Sequence, residues 1–200
     1  MTLYINIGVL VYFIYQQFNF GIVNRFKYLA LPVFALYKLA TIPGWQWSDV
    51  PWAILIAAIG LMISWYQAKG TKVREEHLAK YYFRNKDNDE VPVYTHAVTA
   101  KGGTAYLSGW VIIIIVEFGL EVVFSQLTLN NSNLYHLVVN EALETIATAY
   151  AMANPGHGSW SVWSLTFFTS AGYTLWLMRK SSLVKDTLLN REPFEIVDED

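Results

Sequence analysis

No cysteine occurs among the 200 residues, which excludes disulfides, iron–sulfur ligation, thiol catalysis and c-type haem attachment on this chain. Charge is scarce as well. Asp, Glu, Lys and Arg make up 15% of the residues, where a soluble domain averages about 25%. The net charge of −2 leaves no basic excess for a nucleic-acid face, so nucleic acid is not expected as a partner. No G-x-S-x-G elbow, P-loop or H-E-x-x-H spacing is present. Gly102-Gly103 is not expected to cradle a phosphate, because no strand is read before it. There is no internal repeat. Neither a cofactor nor a metal is expected.

What the chain does have is apolar length: 54% of residues are hydrophobic and 16% aromatic. The central stretch is Lys101–Gln126, KGGTAYLSGWVIIIIVEFGLEVVFSQ. From Tyr106 to Phe124 it is apolar for long enough, at a helical rise, to cross the hydrocarbon of a bilayer. Glu117 and Glu121 lie inside that run, one turn apart and therefore on one face. A carboxylate at that depth costs about 3 kcal/mol on insertion scales, so each needs a partner, a proton or a wet cavity.

Four further apolar segments read as spans: Leu3–Phe18, Tyr28–Ile42, Pro51–Tyr66 and Ser159–Met178. The first lacks the basic n-region and cleavage site of a secretory signal and is read as retained. The second contains Pro32 and Lys38, and Pro43-Gly44 stops it. Trp45, Trp47 and Trp52 gather near one interface, as an aromatic belt does. Ala53/Ala57 and Ala105/Gly109 are small residues at a spacing of four, which permits close helix packing.

Gln67–Ala100 is the long polar segment and holds six Lys/Arg. Within it, Val91–Thr95 is read as a short strand pairing with Ala79–Phe83 around Asn85–Asn88, a docking platform for a partner. Charge bias places Arg25, Lys27 and residues 67–101 in the cytoplasm, and Arg179, Lys180 and Lys185 with them. Six full spans would put the last three outside, so one element after the fourth span must fail to cross. Leu134–Ala153 is the candidate. His136, Asn140, Glu141 and Glu144 fall on one half of its wheel and apolar residues mostly on the other, the pattern of an interfacial or re-entrant helix. A sixth span with an inward polar face is the alternative.

The expected fold is therefore all-α: a polytopic transmembrane bundle of five or six spans over residues 1–180, followed by a polar, acidic tail, 181–200. Lys38, Glu117 and Glu121 share a depth in the outer half, where a Lys–Glu pair would relieve the cost of each charge. Such a cluster serves either as a helix-locking bridge or as a cation- or proton-responsive cavity. The outer residues His136, Asn140, Glu141 and Glu144 have metal-like chemistry without metal-ligand spacing.

Around the long loop the chain resembles the CcdC-like family of bacterial integral membrane proteins. The matching residues are Trp65-Tyr66-Gln67-Ala68-Lys69-Gly70-Thr71-Lys72-Val73-Arg74, then Val93-Tyr94-Thr95, then Lys101-Gly102-Gly103-Thr104-Ala105-Tyr106-Leu107 and Trp110. The likeness covers about residues 1–125 and implies a multi-pass protein of a bacterial plasma membrane, with no catalytic residues to carry over. The chain departs from it at Glu117 or Glu121, where a basic residue is expected. The leading functional expectation is a non-enzymatic accessory subunit, with the bilayer and another membrane protein as partners. A small carrier or proton-coupled transporter using Lys38, Glu117 and Glu121 is the alternative. An intramembrane enzyme using His136, Glu141 and Glu144 is a second.

Overall fold

A computed structural model of the protein describes residues 11–12, 14–42, 46–84, 90–124 and 160–189; for 77–81, 83–84, 90–96 and 121–124 it describes the backbone alone. In chain order the elements are β1 (Gly21–Ile22), α1 (Arg25–Thr41), a 3₁₀ turn (Trp47–Asp49), α2 (Val50–Gly70), β2 (Lys72–Arg84), β3 (Glu90–Lys101), α3 (Gly103–Phe124), α4 (Trp160–Lys180) and α5 (Ser182–Leu189).

Local chemistry explains the helix boundaries. Asn24 caps α1, its Oδ1 accepting from the Phe26 N–H at 3.0 Å. Pro51 sits in the first turn of α2, where its missing N–H costs nothing. At the other end Thr71 closes α2, its hydroxyl donating to the Gln67 carbonyl at 2.9 Å. Gly103 opens α3 with φ of 63°, a left-handed value that glycine adopts without a Cβ penalty. Four of the five expected spans correspond to helices α1, α2, α3 and α4, with α2 running four residues past its expected end at Tyr66, while the first, Leu3–Phe18, lies mostly outside the described residues.

The all-α expectation needs correcting. The structure is mostly helical, but β1, β3 and β2 form an antiparallel sheet in that order. The short hairpin read at 79–83 and 91–95 is present in register, with Ala79 opposite Tyr94 and Phe83 opposite Val91. It extends much further, to Lys72 opposite Lys101. The added length packs. Val73, Val98 and Ala100 lie against Val23, Leu177, Val184 and Leu188, so the base of the hairpin shares a core with α4 and α5. A strand therefore does precede Gly102-Gly103. A Cβ on Gly102 would meet the Tyr106 side chain and, at 3.2 Å, Gln17 Oε1, whereas one on Gly103 would meet nothing within 4 Å.

The helices run in two directions. Gly60 abuts Thr169, Ser64 abuts Gly172 and Ala68 receives a bond from Lys180, so α2 and α4 are parallel and both end at the sheet. Helices α1 and α3 start there and run away. Close approach depends on small residues: Ala105 packs on Gly70, and Gly109 on Gln67. A larger side chain at either glycine would force the helices apart.

Burial is inverted only in part relative to a water-soluble bundle. Alongside an apolar core that includes Ile56, Ile113, Leu165 and Leu177, the polar residues Ser64, Gln67, Thr71, Glu117, Ser161, Ser164, Thr169 and Thr174 are buried, while Leu55, Met62, Ile112, Ile115 and Leu175 are exposed. Two helical segments, Trp47–Gly70 and Gly103–Leu120, are long and apolar enough to cross a membrane.

Pro32 creates one specific debt in this packing. Lacking an N–H, it leaves the Tyr28 carbonyl without its helical donor. Thr174 of α4 supplies one: its hydroxyl lies 3.1 Å from Tyr28 O and 3.0 Å from Ser170 O. Ser170 O already accepts from its own helix, so the single hydroxyl proton stabilises most at Tyr28. Thr174→Val is expected to cost about 1–3 kcal/mol, the range for a buried acceptor left unsatisfied. In a Pro32→Ala background, where the helix satisfies Tyr28 O itself, the same change should cost less than half as much. Equal costs in both backgrounds, measured by denaturation in detergent, would refute this pairing.

Candidate functional site

A cavity of about 340 Å³ lies between α1, α3 and α4 and reaches the sheet end of the molecule. Its wall along α3 is set by spacing: Gly102, Tyr106, Trp110, Ile113 and Glu117 recur every three or four residues and share one face. The α4 wall follows the same rule, with Thr166, Thr169, Ser170, Tyr173 and Thr174. Hydroxyls are tolerated inside this helix because each bonds back to a carbonyl about one turn earlier. Thr169 reaches Leu165 O at 2.8 Å, and Ser170 reaches Thr166 O at 2.6 Å.

Glu117 lies at the far end of the described lining. Fourteen positions along α3 from Gly103, it stands roughly 21 Å from the start of the helix. It is 1% exposed, and its Oε1 accepts from Thr166 Oγ1 at 3.2 Å. The same Thr166 hydroxyl lies 3.0 Å from Val162 O, which gives the contact two forms. As a carboxylate, Glu117 accepts the Thr166 proton. As a neutral acid, it donates to Thr166 Oγ1 while Thr166 turns its proton to Val162 O. Both protonation states keep a bonded partner, so the site accommodates either.

Three tyrosines form the middle. Tyr28 and Tyr173 stack with centroids 6.2 Å apart, and Tyr106 meets Tyr173 edge-on at 5.2 Å. The Tyr173 hydroxyl is held 3.0 Å from Thr71 Oγ1. Gln67 fixes the neighbouring backbone, its amide donating to Tyr106 O at 3.2 Å. Tyr106 precedes Glu117 by eleven residues on α3, roughly 16 Å along the axis, so these rings line the cavity well short of the carboxylate. At the sheet end the lining changes to Gln16, Gln17, Asn19 and Lys27, so the two ends carry opposite charge.

Of the residues picked out in the sequence, Glu117 is in the cavity wall and Lys38 is not. Lys38 does lie on the far half of α1, at a height like that of Glu117, and holds its ammonium 5.8 Å over the Phe34 ring. Glu121 is one turn further along α3, and its side chain is outside the described residues. His136, Asn140, Glu141 and Glu144 also lie outside the described residues. Among the described residues no group of three or more potential metal ligands comes together. The hydroxyl row of α4 was missed. Its signal is Thr166, Thr169, Ser170, Tyr173 and Thr174, polar residues at helical spacing inside a segment otherwise read as an apolar span.

No family model matches the chain, and neither a curated protein nor a solved structure is similar to it.

If Glu117 served to lock helices, neutralising it would be costly. The geometry predicts otherwise, because an amide at this position keeps the acceptor for Thr166 and removes the burial cost of a charge. Glu117→Gln is expected to change stability by less than about 1 kcal/mol. A loss of 3 kcal/mol or more, the scale of about 3–5 kcal/mol for breaking a buried pair, would make the residue a structural lock.

Proposed function

We propose that the chain is a multi-pass membrane protein that binds a small ammonium-bearing solute in the central cavity, with Glu117 as its counter-charge. The observation that carries this reading is a buried carboxylate in a cavity whose walls also carry tyrosine rings and hydroxyls. Its Thr166 contact has one form for the carboxylate and one for the neutral acid. Lys27 lies at the sheet end of the lining, too far along the cavity to meet the other end of a small solute held at Glu117. The buried carboxylate favours the carrier-type alternative over the accessory-subunit expectation.

The membrane reading rests on the two long apolar helices, the partly inverted burial and the grouping of basic residues at one end. Lys69, Lys72, Arg74, Lys101, Arg179 and Lys180 belong to the sheet end, which charge bias assigns to the cytoplasm. Because α2 and α4 are parallel, the chain between α3 and α4 starts and finishes on the opposite side. That favours five spans over six, in a bacterial plasma membrane if the CcdC-like resemblance reflects kinship.

The accessory-subunit reading keeps one specific observation in its favour. Strand β1 pairs with β3 at Thr99 and Ala100, and Val23 N–H donates to the Val98 carbonyl beside it, so along the rest of β3 the ladder to β2 is the one present among the described residues. An open strand edge at the cytoplasmic end is a template for adding a partner strand. Stoichiometric copurification of a second protein would support it.

Thermal unfolding of the purified protein with choline and with glycine betaine tests the cavity. At ten times Kd, binding adds about 1.4 kcal/mol of stability, a shift of roughly 4 °C. The expected result is such a shift with wild type from at least one solute, lost in Glu117→Gln. An equal shift in the variant, or none with either solute, would overturn the proposal.

A further inference from the structure

A second concavity, of about 350 Å³, lies away from the cavity, at the sheet ends of α2 and α4. Trp65, Ala68 and Lys69 line it from α2, and Trp176, Arg179 and Lys180 from α4. Tryptophan precedes lysine by four residues in both helices, at 65 and 69 and again at 176 and 180. Because the helices are parallel, these two turns stand side by side.

The three cations have different duties. Lys180 is occupied, its ammonium donating to the carbonyls of Ala68, Lys69 and Thr71 at 3.0, 2.7 and 2.6 Å. It thereby caps the negative end of α2, which would otherwise repel an anion. Lys69 and Arg179 are instead laid on rings: the ammonium is 5.2 Å from the Trp65 centroid and the guanidinium 5.7 Å from that of Trp176. Ring contacts position a cation without using its N–H donors. Both heads therefore keep hydrogen-bonding capacity for an oxyanion, and arginine keeps its planar fork. Trp65 remains 48% exposed.

We propose that this groove binds the phosphate of an anionic phospholipid, between Lys69 and Arg179, with the lipid's apolar part against the two indoles. The argument is charge complementarity joined to amphiphilicity. The walls are largely aromatic, the rim is cationic, and the lining contains no carboxylate among the described residues. A zwitterionic lipid would bring an ammonium that finds no counter-charge, so the groove selects net negative headgroups. Basic pockets between helices at the cytoplasmic face are suited to this chemistry. The proposal rests on the membrane reading above and is independent of what the central cavity binds.

Native mass spectrometry of the full chain in mild detergent, titrated with phosphatidylglycerol or with phosphatidylcholine of matched chains, tests it. Wild type should retain phosphatidylglycerol about tenfold more tightly. The Lys69→Gln, Arg179→Gln double variant should lose that preference, and Lys185→Gln, outside the groove at the same end, should keep it. The exchange Lys69→Arg with Arg179→Lys preserves both charges and should keep the preference, which separates loss of charge from loss of fold. No preference in wild type, or an equal loss in Lys185→Gln, overturns the site. Alkaline extraction of cell membranes reads the other premise: protein that stays in the pellet without lipid preference sinks the groove alone, and protein released to the supernatant sinks the membrane reading with it.

Discussion

The polar groups on these helices are satisfied by one another, and α4 supplies most of the donors. Thr174 answers the carbonyl that Pro32 leaves bare on α1. Tyr173 meets Thr71 at the end of α2, Thr166 meets Glu117 on α3, and Lys180 ties down three carbonyls at the α2 terminus. In water each of these bonds would be worth about 1 kcal/mol, because solvent offers an alternative partner. In hydrocarbon an unmet group costs several kcal/mol. The same contacts then become the condition for assembling the bundle at all, and they fix its geometry: α4 must lie between the other three helices, parallel to α2.

That geometry also explains the cavity. Side chains that reach inward to hydrogen-bond are shorter than those that fill a core, and the hydroxyls of α4 leave space beside α3 where leucines would close it. The exterior carries the compensating bulk in Leu55, Met62, Ile112, Ile115 and Leu175. A carboxylate is tolerable in such an interior because it has a hydroxyl partner in either protonation state. On the proposed function the same residues set the ligand chemistry, with Glu117 taking either a proton or another cation.

Much of this was legible in the residue pattern. Apolar run length located α1 to α4 within a few residues, and Val91–Thr95 located the hairpin, whose ladder carries a register shift between Ala79 and Tyr81 that the sequence does not announce. Pairs of small residues marked one real contact, Ala105 and Gly109 against α2. The rest depended on distance along the chain. Thr166 and Glu117 are 49 residues apart, and Lys180 reaches its carbonyls across more than 100, so no local signal pairs them. The hairpin was read too short because its base, at Lys72–Glu76 and Ala97–Lys101, is rich in charge and small residues, and becomes strand through packing on Leu177 and Val184. Lys38 matched Glu117 in depth, which a span diagram shows, whereas cavity lining depends on helix rotation, which it does not.

The account stands on the polar side of the bundle being wet and the apolar side facing lipid, and a chain without cysteine makes that directly measurable. Single substitutions Ser170→Cys, in the cavity wall, and Met62→Cys, on the exposed apolar face, would be treated in membranes with a membrane-impermeant cationic thiol reagent. The reagent is expected to modify the Ser170→Cys protein when it has access to the sheet side and to leave Met62→Cys unmodified. Ready labelling of Met62→Cys with a silent Ser170→Cys would contradict the arrangement at its root.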